Sequence, residues 1–471
     1  MLSRRTTSRC FLASLPAWLA PSLALAWQFE MARVDVDETL TVAAWTQVSF
    51  LAPFETPPLV FVLPTSDGDD PATLRVRNAT STGFEVTPHE ASATDGPHSA
   101  MPTAYLAIVP GTHTMPDGTR VTALRHTTSS SISRLLGTSW DTIALPGGFT
   151  SPPAVLATIQ SVRNEERNPP ASTSAPFLAA AIRNVGSGTL QISLERAETT
   201  DGSIVSTEDI AVLAIDANTT SSFVDRFNNS ATLATLRTGN NIRGRNNGCF
   251  TAAYGGTFAA TPLAVAAMNT RNGNNGGWLR RCSESSAALG LHVEEDIDND
   301  SERNHINEVA GIVAASRDFH VNFAVDMSVL KNVRSLSDPV AGTANPRSIP
   351  AAIMEYTIEV ENRGSASPDT DTLVVTDEIP PEVALCVTAA CYPGGPVVLD
   401  TAASPVPPGV SLLLVEYSDD GGASFGYTPA PDAAGFDGRI DSVRITLGGS
   451  LASVAPGGVP SFVLRLATRV E

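Results

Sequence analysis

One sequence pattern recurs along this chain of 471 residues. Trp45 to Val48 corresponds to Trp140 to Ile143, and Phe54 to Pro58 corresponds to Phe149 to Pro153. A third version keeps only the Phe-x-x-x-Pro part, at Phe258 to Pro262, and lacks the opening Trp. Repetition on this scale predicts an internal array of similar units.

The spacing of the copies is read from one apolar strand near the end of each. Val212 lies 107 residues after Tyr105, and Ile312 lies 100 residues after Val212. Within each copy, apolar and polar residues alternate, and helical periodicity never persists for three turns. We therefore expect an all-β fold of tandem antiparallel β-sandwiches.

The last region has a different pattern. Met354 to Glu361 alternates cleanly between apolar and polar residues, and further strands are predicted at Val410–Tyr417, Ile440–Leu447 and Phe462–Val470. Their number and spacing predict an immunoglobulin-like sandwich. The expected organisation is a signal peptide at 1–26, sandwiches at 27–130 and 131–220, a linker at 221–247, a third sandwich at 248–326, and the immunoglobulin-like domain at 327–471.

The N-terminus has the pattern of a secretory signal. Three arginines precede an apolar segment, Cys10 to Leu25, and the small residues Ala24 and Ala26 suit cleavage before Trp27. No other stretch approaches 18 uncharged apolar residues, so we expect no membrane span in the mature chain. The expected location is outside the cell, either secreted or on the cell surface.

The charge balance limits the classes of partner. The formal net charge is −19 at pH 7, with 49 acidic residues against 30 basic ones. Such a balance argues against nucleic acid and against an anionic membrane surface as partners.

Four cysteines follow the signal segment, which favours two disulfides in an exported protein. We pair Cys249 with Cys282 and Cys386 with Cys391, because each pair falls within one predicted domain. A zinc site is the alternative, but the spacings of 33 and 5 residues lack the paired C-x₂-C pattern.

The segment from Val293 to Ala314 concentrates the polar candidates of the chain. Asp296, Asp298, Asp300 and Glu302 alternate, as oxygen ligands of calcium would, so calcium is the one cofactor that the sequence suggests. Against this, the loop has no Gly at its sixth position and no Glu at its twelfth. The alternative is a solvated acidic loop.

Two histidines occupy matching places in the copies. His98 and His305 stand seven residues before Tyr105 and Ile312, and Glu308 follows His305 by three. These side chains could hydrogen-bond a sugar hydroxyl, or they could fix a loop. The second copy has Glu208 at the position of Glu308, which favours a structural role.

An Asn- and Gly-rich loop in the third copy supplies the remaining candidate ligand-binding residues. Asn274 and Asn275 lie in this loop, and Trp278 follows it. An exposed Trp278 could stack on a sugar face, whereas a buried one would belong to the core.

The first copy resembles the H-type lectins of bacterial surface proteins. The resemblance rests on Trp45-x-x-Val-x-Phe50, Phe54-x-x-Pro-Pro58, Arg75-x-Arg-Asn78, Gly83-Phe-Glu-Val86 and Glu90. It implies a β-sandwich that binds N-acetylgalactosamine-like sugars as a trimer or hexamer, and hence a homo-oligomer. Tyr105, Val212 and Ile312 stand where that family has a late Trp.

The C-terminal region resembles a repeat domain of bacterial surface proteins. The matching segments are Asp338 to Gly342, Asn345-Pro346, Glu355 to Ile358 and Thr376 to Pro380. The resemblance implies a surface stalk or spacer with no catalytic role.

Three functional hypotheses follow. The first is a non-enzymatic adhesion protein whose lectin-like copies bind an extracellular glycan or a surface protein. The second is a structural subunit of an extracellular filament or coat. The third, a secreted hydrolase, has the least support, because the chain has no His-Glu-x-x-His or Walker A motif.

Overall fold

The computed structural model of the protein describes residues 27–39, 45–91, 97–164, 175–200, 202–455 and 457–471. The expected signal peptide, 1–26, lies outside the described residues. The described chain divides into two compact units, 27–323 and 324–471. Nearly all of their regular secondary structure is β-strand, which confirms the all-β prediction.

In its described residues, the N-terminal unit contains 23 strands and one short 3₁₀ turn, Arg245–Asn247. The strands that follow the chain start are β1 (Trp27–Val36), β2 (Thr46–Ser49), β3 (Leu59–Val62), β4 (Ala72–Arg77), β5 (Gly83–Glu90) and β6 (Met101–Ile108). The next are β7 (Gly111–Thr114), β8 (Arg120–Thr128), β9 (Ser131–Ser133), β10 (Gly137–Thr138), β11 (Asp141–Ala144), β12 (Ala154–Ile159), β13 (Ala179–Arg183), β14 (Thr189–Glu195) and β15 (Glu208–Ile215). The last are β16 (Thr220–Val224), β17 (Ser230–Arg237), β18 (Phe250–Ala253), β19 (Leu263–Met268), β20 (Trp278–Glu284), β21 (Ala288–Glu294), β22 (Ala310–Ala315) and β23 (Phe319–Phe323).

Each copy contributes one larger and one smaller sheet. The larger sheets have the strand orders β23-β1-β6-β3, β7-β8-β15-β12 and β16-β17-β22-β19. The smaller ones are β2-β5-β4, β11-β14-β13 (joined by β9 and β10) and β18-β21-β20. Pairing is antiparallel except between β9 and β14.

The strand register supports the spacing of the copies. Tyr105 pairs with Val62, Val212 with Ala157, and Ile312 with Ala266, each at the same place in its larger sheet. We refer to β1–β6 as the first copy, to β8 with β11–β15 as the second, and to β17–β22 as the third.

The three copies form one unit instead of three separate sandwiches in a row. The hairpins β7–β8 and β16–β17 begin the second and third larger sheets, and the segment 221–247, expected as a linker, contains β17. In the first sheet, the place of such a hairpin is taken by β23 beside β1, which pairs the last strand of the unit with its first. The segment 221–247 is rich in Ser, Thr and Asn because its strands have one exposed side. In β16, for example, exposed and buried residues alternate over the first four positions.

The equivalent strands β3, β12 and β19 contact one another between the copies. Each is buried along nearly its whole length, which explains why its sequence is a continuous apolar run without alternation. Alanines in β12 and β19 allow the strands to approach closely. Burial on both faces is therefore what joins the copies into one core.

Polar side chains also cross between the copies at matching positions. Gln160 Nε2 donates to the Val60 carbonyl at 2.5 Å, and Asn269 donates to and accepts from the Val155 backbone at 2.7 and 3.0 Å. Arg280 of the third copy donates to the Thr65 carbonyl of the first at 2.6 Å. These bonds satisfy buried backbone groups that the strand ladders leave over.

The described part of the C-terminal unit has nine strands in two sheets. They are β24 (Met327–Ser337), β25 (Ile353–Asn362), β26 (Val374–Glu378), β27 (Val383–Cys386), β28 (Val398–Asp400), β29 (Val410–Ser418), β30 (Phe436–Asp437), β31 (Ser442–Gly449) and β32 (Ser461–Val470). The sheet orders are β24-β25-β32-β27-β30, with β28 also on β32, and β26-β31-β29. Apolar residues of both sheets, including Val360, Val375, Ile445 and Leu464, form one core.

Both predicted disulfides are confirmed. Cys249 is bonded to Cys282 in the N-terminal unit, and Cys386 is bonded to Cys391 in the C-terminal unit. Across the described residues, no helix has the length and apolar character needed to cross a membrane.

Candidate functional site

The third copy carries an open cleft of about 590 Å³. It forms where the chain segments that follow β17, β19 and β21 meet. Eight residues line it, and five of them are asparagines: Asn240, Arg243, Asn247, Asn272, Asn304, His305, Ile306 and Asn307. We call it the asparagine cleft.

The asparagines of the cleft orient one another. Asn272 Nδ2 donates to Asn240 Oδ1 at 3.0 Å and to the Asn307 carbonyl at 2.8 Å. Asn247 Nδ2 donates to Asn304 Oδ1 at 2.9 Å. An amide has two donors and an acceptor with two lone pairs, so each of these groups keeps hydrogen-bonding capacity for a ligand. Four of the five are exposed, and Asn307 is half-buried.

One apolar group stands among these amides. Ile306 is 56% exposed, whereas the neighbouring His305 is buried. A solvated aliphatic side chain beside fixed amides offers both kinds of contact that a polyhydroxylated ligand needs.

A buried carboxylate fixes the floor of the cleft. Glu308 accepts hydrogen bonds from the backbone N–H groups of Asn272 at 2.6 Å and Gly273 at 3.0 Å, and from the Thr270 hydroxyl. Its side chain is fully buried. Because Asn272 lines the cleft, Glu308 sets the position of a wall residue without facing the opening.

His305 links this carboxylate to a second one. Its Nδ1 lies 2.5 Å from Glu295 Oε1, and its Nε2 lies 3.0 Å from Glu308 Oε1. Burial disfavours the charged imidazolium, but the two carboxylates outweigh it and raise the pKa of His305 to about 9. The ring is therefore protonated at neutral pH and ties the loop to the end of β21.

The second copy has the same loop device without the cleft. Glu208 accepts from the N–H groups of Arg163 and Asn164, both at 2.8 Å, and from the Ser161 hydroxyl. Ser161, Arg163 and Asn164 are the register equivalents of Thr270, Asn272 and Gly273. Glu208 and Glu308 thus do the same structural work in two copies, as their matching offset indicates.

The acidic residues proposed as calcium ligands serve separate backbone groups. Asp296 is buried and accepts from the N–H of Glu198 at 2.7 Å and of Asp298 at 3.0 Å, while burial raises its pKa to about 7. Asp300 and Glu302 each accept from a backbone N–H two residues onward. Among the described residues, no group of three or more His, Cys, Asp or Glu side chains is arranged to hold a metal ion.

Trp278 lies in the core between copies. Its ring is 5% exposed, packs 4.9 Å from Phe177, and donates from Nε1 to the Ala72 carbonyl at 2.9 Å. The position therefore matches the buried alternative, and the ring offers no open face for a sugar.

The other candidates are dispersed. His98 is buried in the first copy, where its N–H donates to Thr39 Oγ1 at 2.8 Å. Asn275 donates to Glu302 at 3.4 Å, and the Asn274 carbonyl accepts from Arg271 at 3.4 Å, both in the loop next to the cleft. Of the predicted residues, only His305 and Glu308 come together at the asparagine cleft.

Sequence reasoning did not select most residues that line this cleft. They lie in three Asn-rich segments, at 240–247, 272–275 and 304–307. The recurrence of Asn in all three segments is the signal that could have found them. The chain matches no protein-family model, no curated protein and no solved structure to which it was compared.

Proposed function

We propose that this chain is a non-enzymatic glycan-binding protein that acts outside the cell and takes sugar in the asparagine cleft. The observation that carries the proposal is the group of five asparagines, one of them positioned by Glu308, beside the exposed Ile306. Sugar hydroxyls both donate and accept, as amides do, and sugar C–H groups pack against aliphatic side chains.

The arrangement of carboxylates favours binding over hydrolysis. Glu295 and Glu308, the buried carboxylates under the cleft, are both bonded to His305, and Glu308 also holds backbone N–H groups. Glu302, beside the cleft, accepts from the Asn304 N–H. A glycosidase needs one carboxyl group to donate a proton to the leaving oxygen and a second to act on the sugar. Groups committed to a buried ion cluster serve neither role well.

Several features support an extracellular place for this activity. The expected signal peptide, the two disulfides and the resemblance to H-type lectins all point to an exported protein. The three joined copies parallel, within one chain, the trimer that the resemblance implies. In this proposal, the C-terminal unit is a surface spacer.

A glycan array with the full mature chain tests the proposal, with and without a chelator. Replacing both Asn272 and Asn304 by Ala should abolish binding without lowering the unfolding free energy by more than about 1 kcal/mol, because both side chains are exposed. Asn332→Ala, an exposed change on β24, is the matched control and should bind like the wild type. An empty array with folded wild-type protein would overturn the proposal, and loss of binding on chelation would revive the calcium hypothesis.

A second candidate function is a structural subunit of an extracellular assembly. β29 lies at the edge of its sheet and exposes three consecutive leucines: Leu412 (39%), Leu413 (62%) and Leu414 (50%). Unpaired apolar edge strands pair readily with other strands. Filaments of purified protein seen by electron microscopy would support this function, and a monomer at high concentration would contradict it.

A further inference from the structure

We propose that the asparagine cleft selects glycans that carry a carboxylate, such as uronic acid units, and that Arg243 recognises this group. The inference rests on the proposed glycan-binding function and specifies its ligand class. Its basis is the charge, anchoring and backbone support of one arginine.

Both charged residues that line the cleft are cationic. The charge of His305 is more than offset by the two carboxylates of Glu295 and Glu308. Arg243 is exposed, and its Nε donates to a neutral partner, Asn307 Oδ1, at 2.8 Å. No ion pair recorded among the described residues includes Arg243, so its charge is left for a ligand.

The neighbouring arginines do form ion pairs, so the lack of a carboxylate partner is particular to Arg243. Arg245 pairs with Asp69 at 2.6 Å and lies 3.5 Å from Glu294, and Arg303 lies 2.5 Å from Glu294. Those two arginines hold loops of the first and third copies together. Arg243 alone of the three faces the cleft without a protein carboxylate.

The geometry of Arg243 suits a planar anion. Because Nε is held by Asn307, the plane of the guanidinium is restrained while its two terminal nitrogens stay available. Two parallel N–H groups match the two oxygens of a carboxylate, which makes such pairs stronger and more specific than contact with a point charge.

The backbone of Arg243 is equally restrained. Its carbonyl accepts from Val293 N–H at 2.8 Å, and the preceding Ile242 exchanges hydrogen bonds with Glu308 at 3.1 and 2.8 Å. The next residue, Gly244, packs against the segment 303–305. A Cβ added to Gly244 would come within 2.3 Å of the backbone nitrogen of His305. Pre-organisation of this kind reduces the entropy lost on binding.

The negative net charge of the chain repels anionic ligands, so binding an anionic sugar requires a cationic side chain in the cleft. The net charge is −19, and Glu302 lies beside the cleft, accepting from Asn304 N–H at 2.9 Å. An anionic sugar would therefore depend on Arg243 for its charge complementarity. Added salt should weaken this contact more than the contacts of neutral hydroxyls.

The test compares a uronic acid oligosaccharide with the same oligosaccharide after carboxyl reduction, by calorimetry on the full mature chain. We expect the acidic form to bind at least about tenfold tighter. Arg243→Gln should remove this preference and leave the weaker affinity for the neutral form. Arg243→Lys should retain part of it, since a lysine keeps the charge but not the paired geometry.

Arg226→Gln provides the matched control, because Arg226 is an exposed arginine in the turn between β16 and β17, at the other end of β17 from the cleft. It should leave both affinities unchanged. Equal affinity for the two oligosaccharides overturns the inference and leaves glycan binding standing. An acidic preference that survives in Arg243→Gln also overturns it, and failure to bind either oligosaccharide or any arrayed glycan overturns both proposals.

Discussion

Glu30 and His320 lie directly opposite each other on paired strands although they are 290 residues apart in the chain. Glu30 Oε2 is 2.6 Å from His320 Nδ1, and both side chains are fully buried. The other carboxylate oxygen accepts from the Tyr105 hydroxyl at 2.5 Å and from Leu51 N–H at 3.0 Å. The pair therefore fastens the last strand of the N-terminal unit to its first.

Replacing His320 with Ala should strongly destabilise the N-terminal unit. The change leaves one oxygen of a buried carboxylate without its hydrogen-bond donor, at a cost of about 1–3 kcal/mol. Tryptophan fluorescence during urea unfolding measures the effect in this unit alone, because the C-terminal unit contains no tryptophan.

His126→Ala is the control for this change. His126 lies 2.8 Å from Asp141, but their side chains are 24% and 33% exposed. Solvent screens such a pair, so the loss should stay below about 1 kcal/mol. Similar small losses for both variants would show that the strand closure does not depend on Glu30 and His320.

Glu308→Ala and Glu208→Ala should both lower the stability of the N-terminal unit, but only Glu308→Ala should weaken glycan binding. Each change leaves partly buried N–H groups of one loop without their carboxylate acceptor, at no more than about 1–3 kcal/mol for each group. Only Glu308 supports the asparagine cleft, so only its variant should lose glycan affinity. Denaturation curves and array binding on the same preparations provide the measurement. Loss of affinity in both variants would place the glycan site elsewhere.

The local features of the fold could be predicted because they depend on nearby residues. Strand alternation identified an all-β chain, and the even number of cysteines within two domains gave both disulfides. The repeat spacing placed Tyr105, Val212 and Ile312 at equivalent sites, which their pairings with Val62, Ala157 and Ala266 support.

Long-range pairing could not be predicted in the same way. The strand β7 follows the first copy in the chain but belongs to the sheet of the second, and β23 completes the sheet of the first. Nothing in a local period-two pattern specifies a partner strand that lies hundreds of residues away. The asparagine cleft could not be predicted for the same reason. Its residues lie in three separate loops, and no sequence period connects them.

The His305 cluster should make the stability of the N-terminal unit fall above neutral pH. The folded-state pKa of about 9 lies above the ordinary value of 6.5, so the stabilisation is complete below pH 6.5 and is lost as pH rises through 9. The difference corresponds to about 3 kcal/mol as an order of magnitude.

Urea unfolding followed by tryptophan fluorescence at pH 7, 8 and 9.5 checks this dependence. His305→Gln should be less stable at pH 7 and should show a flatter profile. Asp296, whose pKa is raised to about 7, has its effect mainly below this window. A wild-type profile that is flat from pH 7 to 9.5 would contradict the assignment to His305.

The two disulfides should differ in what they contribute. Cys249–Cys282 spans 33 residues and Cys386–Cys391 spans 5. Chain-entropy arguments give about 4 kcal/mol for the longer loop and about 2 kcal/mol for the shorter one. Unfolding curves of oxidised and reduced protein test which disulfide contributes more stability. Fluorescence follows the N-terminal unit, and circular dichroism follows the C-terminal unit. A larger loss in the C-terminal unit would contradict this prediction.

The exposed edge of β29 should drive self-association at high protein concentration. The segment Val410–Val415 has no charged residue, and its outer edge carries free backbone groups beside three exposed leucines. The strand has a β-bulge between Leu412 and Leu414, so a second copy would pair antiparallel around the exposed Leu413 at the bulge. The single carboxylate of each strand, Glu416, would then lie at opposite ends, so the pairing would not be opposed by like charges.

Leu413→Lys should weaken this association by about tenfold, because a charged side chain on an edge strand blocks further pairing. Sedimentation velocity over a concentration series measures the change. Val205→Lys is the control, since Val205 is 80% exposed but lies outside the strands of the N-terminal unit. If both variants associate like the wild type, any self-association does not use the β29 edge. If the wild type stays monomeric throughout the series, this edge does not support an assembled subunit, and glycan binding is then the stronger of the two proposed functions.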